Sequence, residues 1–151
     1  MQEKQAEPLL EREFAVQGGD FIHAGEVSSS IKAILKDIGI SHDIIRRAAI
    51  AVYEAEMNVV CYARHAAFHL AITPDLLTVI ADDEGQGIPD IELAMQEGYS
   101  TSSREIKEMG FGAGLGLPNI KKNTDELRIS SVVGEGTRVE MVILTGNKDR
   151  P

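Results

Sequence analysis

The sequence predicts an α+β fold: a two-layer α/β sandwich in which a mixed sheet is covered on one face by helices. Three observations carry this. Two stretches of helical periodicity follow one short strand near the start. Residues 68–81 then alternate or run apolar as paired strands do. Near the end, two apolar segments flank Gly134-Glu135-Gly136, which reads as a closing hairpin.

The elements follow in order. Glu13-Phe14-Ala15-Val16 is a strand candidate, broken by Gly18-Gly19. Ile31, Ile34, Leu35 and Ile38 keep the i, i+3, i+4, i+7 rule, so residues 26–38 form an amphipathic helix ended by Gly39. Ser41 is placed to cap a second helix, whose buried face is marked by Ile45, Ala48, Val52, Ala55 and Val59. Phe68, Leu70 and Ile72 alternate as a strand. Thr73-Pro74-Asp75 turns the chain into a more buried strand, Leu76 to Ala81, that leads to Asp82-Asp83. Residues 88–109 read as a loop with one short helix around Ile91 to Met95. A glycine loop then opens a helix through Thr124, with Pro118 in its first turn, where proline is tolerated. Leu127 to Val133 and Thr137 to Leu144 complete the sheet. Domain boundaries follow: one folded unit over 10–144, with polar tails at 1–9 and 145–151.

Size and composition narrow the class. A chain of 151 residues, 43% apolar and 26% charged, suits one globular domain with its own core. No run is long enough to span a bilayer, and Met1-Gln2-Glu3-Lys4-Gln5 lacks a signal-peptide apolar region. A net charge of −9 argues against nucleic acid as a partner, because duplex binding relies on clustered Lys and Arg. The single cysteine, Cys61, makes no internal disulfide and fits a cytoplasmic setting. Cys61, His65 and His69 would suit zinc only if the second helix ran on, and the pattern turns to strand alternation by Ala67.

Two glycine-bearing segments point to a nucleotide. Asp83-Glu84-Gly85-Gln86-Gly87 ends an apolar run, and Gly110-Phe111-Gly112-Ala113-Gly114-Leu115-Gly116-Leu117 opens a helix. A carboxylate at a strand end can accept from an exocyclic amine. Close-set glycines let backbone approach, and a helix N-terminus offers free N–H groups to phosphates. Upstream, Glu54 and Asn58 stand four apart, on one helix face among Ile50, Ala51, Cys61 and Tyr62. Polar groups in apolar surroundings need partners, and a metal-bound nucleotide would satisfy both. The P-loop, the G-x-G-x-x-G fingerprint and the His-Arg-Asp of eukaryotic-type kinases are all missing. Arg104, Lys107, Lys121 and Lys122 flank the second glycine loop and can offset phosphate charge.

Together these residues resemble a GHKL (Bergerat-fold) ATPase, in the branch of stand-alone bacterial serine/threonine-protein kinases and anti-sigma regulatory factors. Glu54-x-x-x-Asn58 resembles the N box, and Asp83-x-Gly85-x-Gly87 the G1 box. Gly112 to Leu117 resembles the G2 box, and Gly134-Glu135-Gly136-Thr137 the G3 box. The stretch from Gly87 to Met95, then Gly98 to Thr101, looks most like the stress-switch kinases. The resemblance implies ATP and Mg²⁺ as cofactors, with Asn58 holding the metal and Asp83 accepting from adenine. Gly85 and Gly87 would pass beside the base. Gly112, Gly114, Leu115, Gly116 and Leu117 would form the phosphate loop, and Thr137 would support the Asp83 end. Residues 90–111 would be a lid, with Arg104 its phosphate contact.

Glu54 is the discriminator. Related histidine kinases carry Asn there and keep a phosphoacceptor His on a separate helical domain. A Glu beside the γ-phosphate can instead take the proton of a serine hydroxyl or of water. The resemblance thus implies a kinase acting on Ser/Thr of a STAS-type antagonist protein, with a sigma factor or a phosphatase as further partners. No nucleic acid or membrane is expected, and the oligomeric state, a homodimer included, is left open. The alternative is a nucleotide-dependent anti-sigma or partner-binding module with little phosphotransfer. Several anti-sigma relatives have His four residues after the N-box Asn, where this chain has Tyr62. That departure weakens any carry-over of sigma-factor contacts.

Overall fold

The chain's computed structural model describes residues 7–96 and 116–146. Strand β1 (Leu10–Gln17) leads to helices α1 (Glu26–Asp37) and α2 (His42–Tyr62), then strands β2 (Ala63–Ile72) and β3 (Leu76–Gly85). Helix α3 (Ile91–Ala94) follows. Helix α4 (Gly116–Lys122) precedes the hairpin β4 (Glu126–Val132) and β5 (Gly136–Leu144). The five strands form one sheet in the order β1-β2-β3-β5-β4. Helix α2 packs across the sheet with α1 and α4 on either side of it, forming one helical layer on one face.

One feature of the expected sheet is corrected: all four pairings are antiparallel, so the sheet is not mixed. Connection counts explain this. Two helices stand between β1 and β2, so the chain returns to the end it left and β2 runs back along β1. Strands β3 and β4 do run in the same direction. They never pair, because β5 lies between them and is antiparallel to both.

The sequence signals act locally as expected, with two refinements. Helix α1 ends in a Schellman arrangement, with Gly39 N–H donating to Lys36 O and Ile40 N–H to Leu35 O. Ser41 does occupy the N-cap of α2, but its side chain makes no capping bond. Helix α1 has no local side-chain cap either. Glu56, 1% exposed and carried by α2, accepts from the main-chain N–H groups of Gly25, Val27 and Ser28 at 3.0–3.1 Å. That carboxylate both satisfies the free donors and faces the positive end of the helix dipole.

The core lies between the layers. Ile31 and Leu35 of α1, Val52 and Val59 of α2, and Ile120 of α4 meet Phe68, Leu70, Leu77 and Val79 of the sheet. Packing at this density holds α2 and α4 in fixed register. Among the described residues no helix is long and apolar enough to cross a membrane.

Candidate functional site

The middle of α2 presents Glu54 and Asn58 one turn apart, both half-buried. Their neighbours on the helix, Ala51, Val52, Ala55 and Val59, are buried in the core, which leaves the polar pair at the margin of the helical layer. Across from them begins α4. A methyl group built on Gly116 would come within 3.1 Å of Asn58 Oδ1 and 3.5 Å of Glu54 Oε2. The first residue of α4 therefore sits against both side chains. One turn further along, Asn119 Nδ2 donates to Glu54 Oε1 at 3.4 Å. Burial pushes the Glu54 carboxyl above its ordinary range, and the Asn119 hydrogen bond pulls the other way.

The second cluster lies where β3 meets β5. Asp83 and Thr137 are cross-strand partners, and Thr137 N–H donates to Asp83 Oδ1 at 3.0 Å. Burial is the main influence raising the Asp83 pKa. The Thr137 bond opposes it, and the neighbouring Asp82 charge adds to it. A methyl group on Gly136 would meet Asp83 O at 2.0 Å, so only glycine lets the β5 backbone lie this close to β3. Gly85 lies beside Asp83 Oδ1 and Ala63, each 3.1 Å from where its Cβ would be. Gly87 has φ +78° and packs on the backbone of Val132 and Val133, which joins the turn after β3 to the β4–β5 hairpin. Gly134 N–H donates to Gln86 O at 2.9 Å, closing the same junction.

The structure thus gathers Glu54, Asn58 and Gly116 at one place and Asp83, Gly85, Gly87 and Thr137 at another. Leu117 is buried and anchors the start of α4 in the core. Arg104, Gly112, Gly114 and Leu115 lie outside the described residues, as does the expected lid beyond Gln96. Before it, Asp90 caps α3 by accepting from Leu93 N–H at 3.1 Å. Cys61 is on α2 whereas His65 and His69 are on β2, and no group of metal-ligating side chains occurs among the described residues. An open groove between β1 and α1, lined by Phe14, Val16, Val27 and Val60 with Asp20 and His23 at its rim, is separate from both clusters.

Three polar residues with structural roles were not anticipated. Asn119 belongs to the helix after the glycine loop, and nothing in the sequence tells which face of so short a helix meets α2. Ser131 was legible: Leu127, Ile129 and Ser131 share the inward face of β4 by alternation, so a hydroxyl there calls for partners. It accepts from Ile88 N–H at 2.7 Å, and its oxygen is 2.8 Å from Thr137 Oγ1. It thereby ties the segment after Gly87 to the Asp83 cluster. Glu56 was legible too, as a charge on the Val52–Val59 stripe of α2.

Comparison with known proteins agrees with this fold. The sequence profile of the histidine kinase-like ATPase domain matches residues 20–143. The serine/threonine-protein kinase RsbT of Bacillus subtilis (strain 168) is 34% identical over 113 residues, covering 72% of this chain and 79% of that protein. An anti-sigma F factor of Thermoanaerobacter sp. (strain X514) is 37% identical over 76 residues, which is 50% of each chain. A crystal structure of the RsbU and RsbW domains of Rv1364c from Mycobacterium tuberculosis superposes with a TM-score of 0.53 at 17% identity. That match covers 88% of this chain but 32% of the other, and it speaks for the shared fold alone.

Proposed function

The chain belongs to the family of histidine kinase-like ATPase domains, and from that premise we infer that it is an ATP-dependent serine/threonine-protein kinase of a partner-switching system. Its substrate on this reading is a serine or threonine of a STAS-type antagonist protein in the cytoplasm. The observation that carries it is Glu54: a half-buried carboxylate set against the first residue of the helix that follows the glycine loop.

ATP and Mg²⁺ fit the residues present. Asn58 offers a hard amide oxygen toward Gly116, in a space that any Cβ at 116 would crowd. Magnesium keeps several waters and takes one or two protein ligands plus phosphate oxygens, so a single side-chain donor suffices. When bound, the cation would neutralise charge on the phosphates. Asp83 would accept from the adenine amino group while Thr137 N–H holds its other oxygen.

In the transfer itself, the hydroxyl oxygen of the partner's Ser or Thr bonds to the γ-phosphorus as the bond to the β-phosphate oxygen breaks, leaving ADP. The hydroxyl proton passes to the Glu54 carboxylate. A carboxylate whose pKa is lifted by burial is a stronger base than an exposed one. The similarity to anti-sigma F factors favours one second reading, a nucleotide-dependent partner-binding module with slow transfer. The test is to recover proteins that co-purify with the chain from its native cell and incubate them with γ-labelled Mg-ATP. Label on a serine or threonine of the partner supports the kinase reading; a stable complex without label supports the other.

A further inference from the structure

The hydrogen bonds around Glu54 distinguish its two oxygens. Oε1 accepts from Asn119 Nδ2 at 3.4 Å, while Oε2 is the oxygen that faces Gly116, 3.5 Å from the place of its missing Cβ. Asn119 is itself held. Asn123, one turn further along the chain, donates through Nδ2 to the main-chain oxygen of Asn119 at 2.8 Å and reaches its Oδ1 at 3.4 Å. With its amide oxygen engaged by Asn123, the Asn119 NH₂ is the group left to face a carboxylate, which can only accept. We propose that Asn119 is a positioning residue for Glu54: by holding Oε1 it turns Oε2 toward the start of α4, where the glycine loop ends. This rests on the reading of Glu54 as the base.

The consequence is a mechanical link. Asn119 and Gly116 share α4, so the helix that follows the phosphate loop also orients the group that takes the proton. A base misplaced by a fraction of an ångström loses rate without losing nucleotide, because nothing in the link touches the adenine end. The bond also stabilises the charged form of Glu54, and no charged side chain among the described residues contributes to that balance. Its removal must therefore move the Glu54 titration further upward.

Two measurements on the full chain test this. The first follows the Glu54 carboxyl carbon by NMR titration in wild type, Asn119→Ala and Asn119→Leu. Both variants should titrate at higher pH than wild type; identical titration overturns the proposal. The second follows phosphate release from Mg-ATP with water as acceptor. Loss of one hydrogen bond to a charged group should lower kcat by about tenfold. KM for ATP should hold, and the acid limb of the pH–rate profile should shift upward with the Glu54 titration. Asn119→Gln, which retains the donor, should recover part of the rate. A fall in ATP affinity with an unmoved acid limb would assign Asn119 a merely structural role and overturn the proposal. If Glu54→Gln itself leaves hydrolysis unchanged, the base reading fails instead, and the NMR shift alone then decides whether Asn119 holds the carboxylate.

Discussion

The main-chain nitrogen of Thr137 donates to Asp83 Oδ1 at 3.0 Å across the β3–β5 pair, which fixes the carboxylate's orientation in the second of the two candidate clusters. Asp83→Asn keeps an oxygen for Thr137 and removes a charge that burial disfavours. The variant should therefore fold as well as wild type or better, with an unfolding temperature at least as high. Its ATP affinity should fall and its discrimination against GTP shrink, because an amide can present a donor where adenine needs an acceptor. Calorimetry that finds ATP affinity unchanged removes Asp83 from the adenine role.

A pH dependence follows from the same carboxyl. Its pKa is raised in the folded chain, chiefly by burial. For a group shifted in that direction, folding favours the protonated form. That contribution is full below the unfolded pKa and lost as pH rises through the folded value. Adenine recognition needs the opposite, an ionised acceptor. On acidification through the raised Asp83 pKa, ATP affinity should fall while the Asp83 contribution to stability grows. The Asp83→Asn variant serves as the control, since the part of the pH response due to Asp83 disappears in it. Equal pH dependence in both chains would show that other groups govern binding.

Glu56 predicts a stability effect unconnected with catalysis. It is 1% exposed and accepts three main-chain N–H groups at the start of α1. Glu56→Ala leaves those donors buried and unpaired, at about 3 kcal/mol or more. Urea unfolding should show this as a lower midpoint with a similar slope. A change under about 0.5 kcal/mol, the range of ordinary surface substitutions, would mean water replaces the carboxylate.

How much of this was legible in the sequence depends on the range of the interaction. Helices α1 and α2 and the turns at Thr73-Pro74-Asp75 and Gly134-Glu135-Gly136 are written in local periodicity and turn chemistry, and they stand where expected. The approach of Glu54 to Asn58 needs only i, i+4 spacing. The sheet's direction was not local: β5 inserts between β3 and β4, and no short pattern encodes which strand takes the middle place. Asn119 was hidden for the same reason, since its partner is 65 residues away. Glu56 and Ser131 are visible as polar residues on apolar stripes, but their pairings leave no mark in a sequence. The partners of Glu56 are main-chain N–H groups, and those of Ser131 are main-chain atoms of Ile88 and Gly136 together with Thr137 Oγ1.

The sharpest prediction pairs the two polar residues of α2. Both face Gly116, yet the reading gives them different work, Asn58 toward the metal-bound phosphates and Glu54 toward the proton. Glu54→Gln preserves size and an oxygen for Asn119 but cannot accept the proton at neutral pH. Phosphotransfer should drop by about 10²–10⁴-fold, the range typical of a positioned base, while Mg-ATP affinity barely changes. Asn58→Ala should instead weaken Mg-dependent binding itself, and the loss should be smaller when Mg²⁺ is withheld from both chains. Both variants are measured in one buffer, binding by calorimetry and transfer by label on the partner. If Glu54→Gln transfers phosphate at the wild-type rate, the half-buried carboxylate is not the base. Nucleotide-dependent partner binding then becomes the better account, because binding alone makes no demand for a proton acceptor at that position.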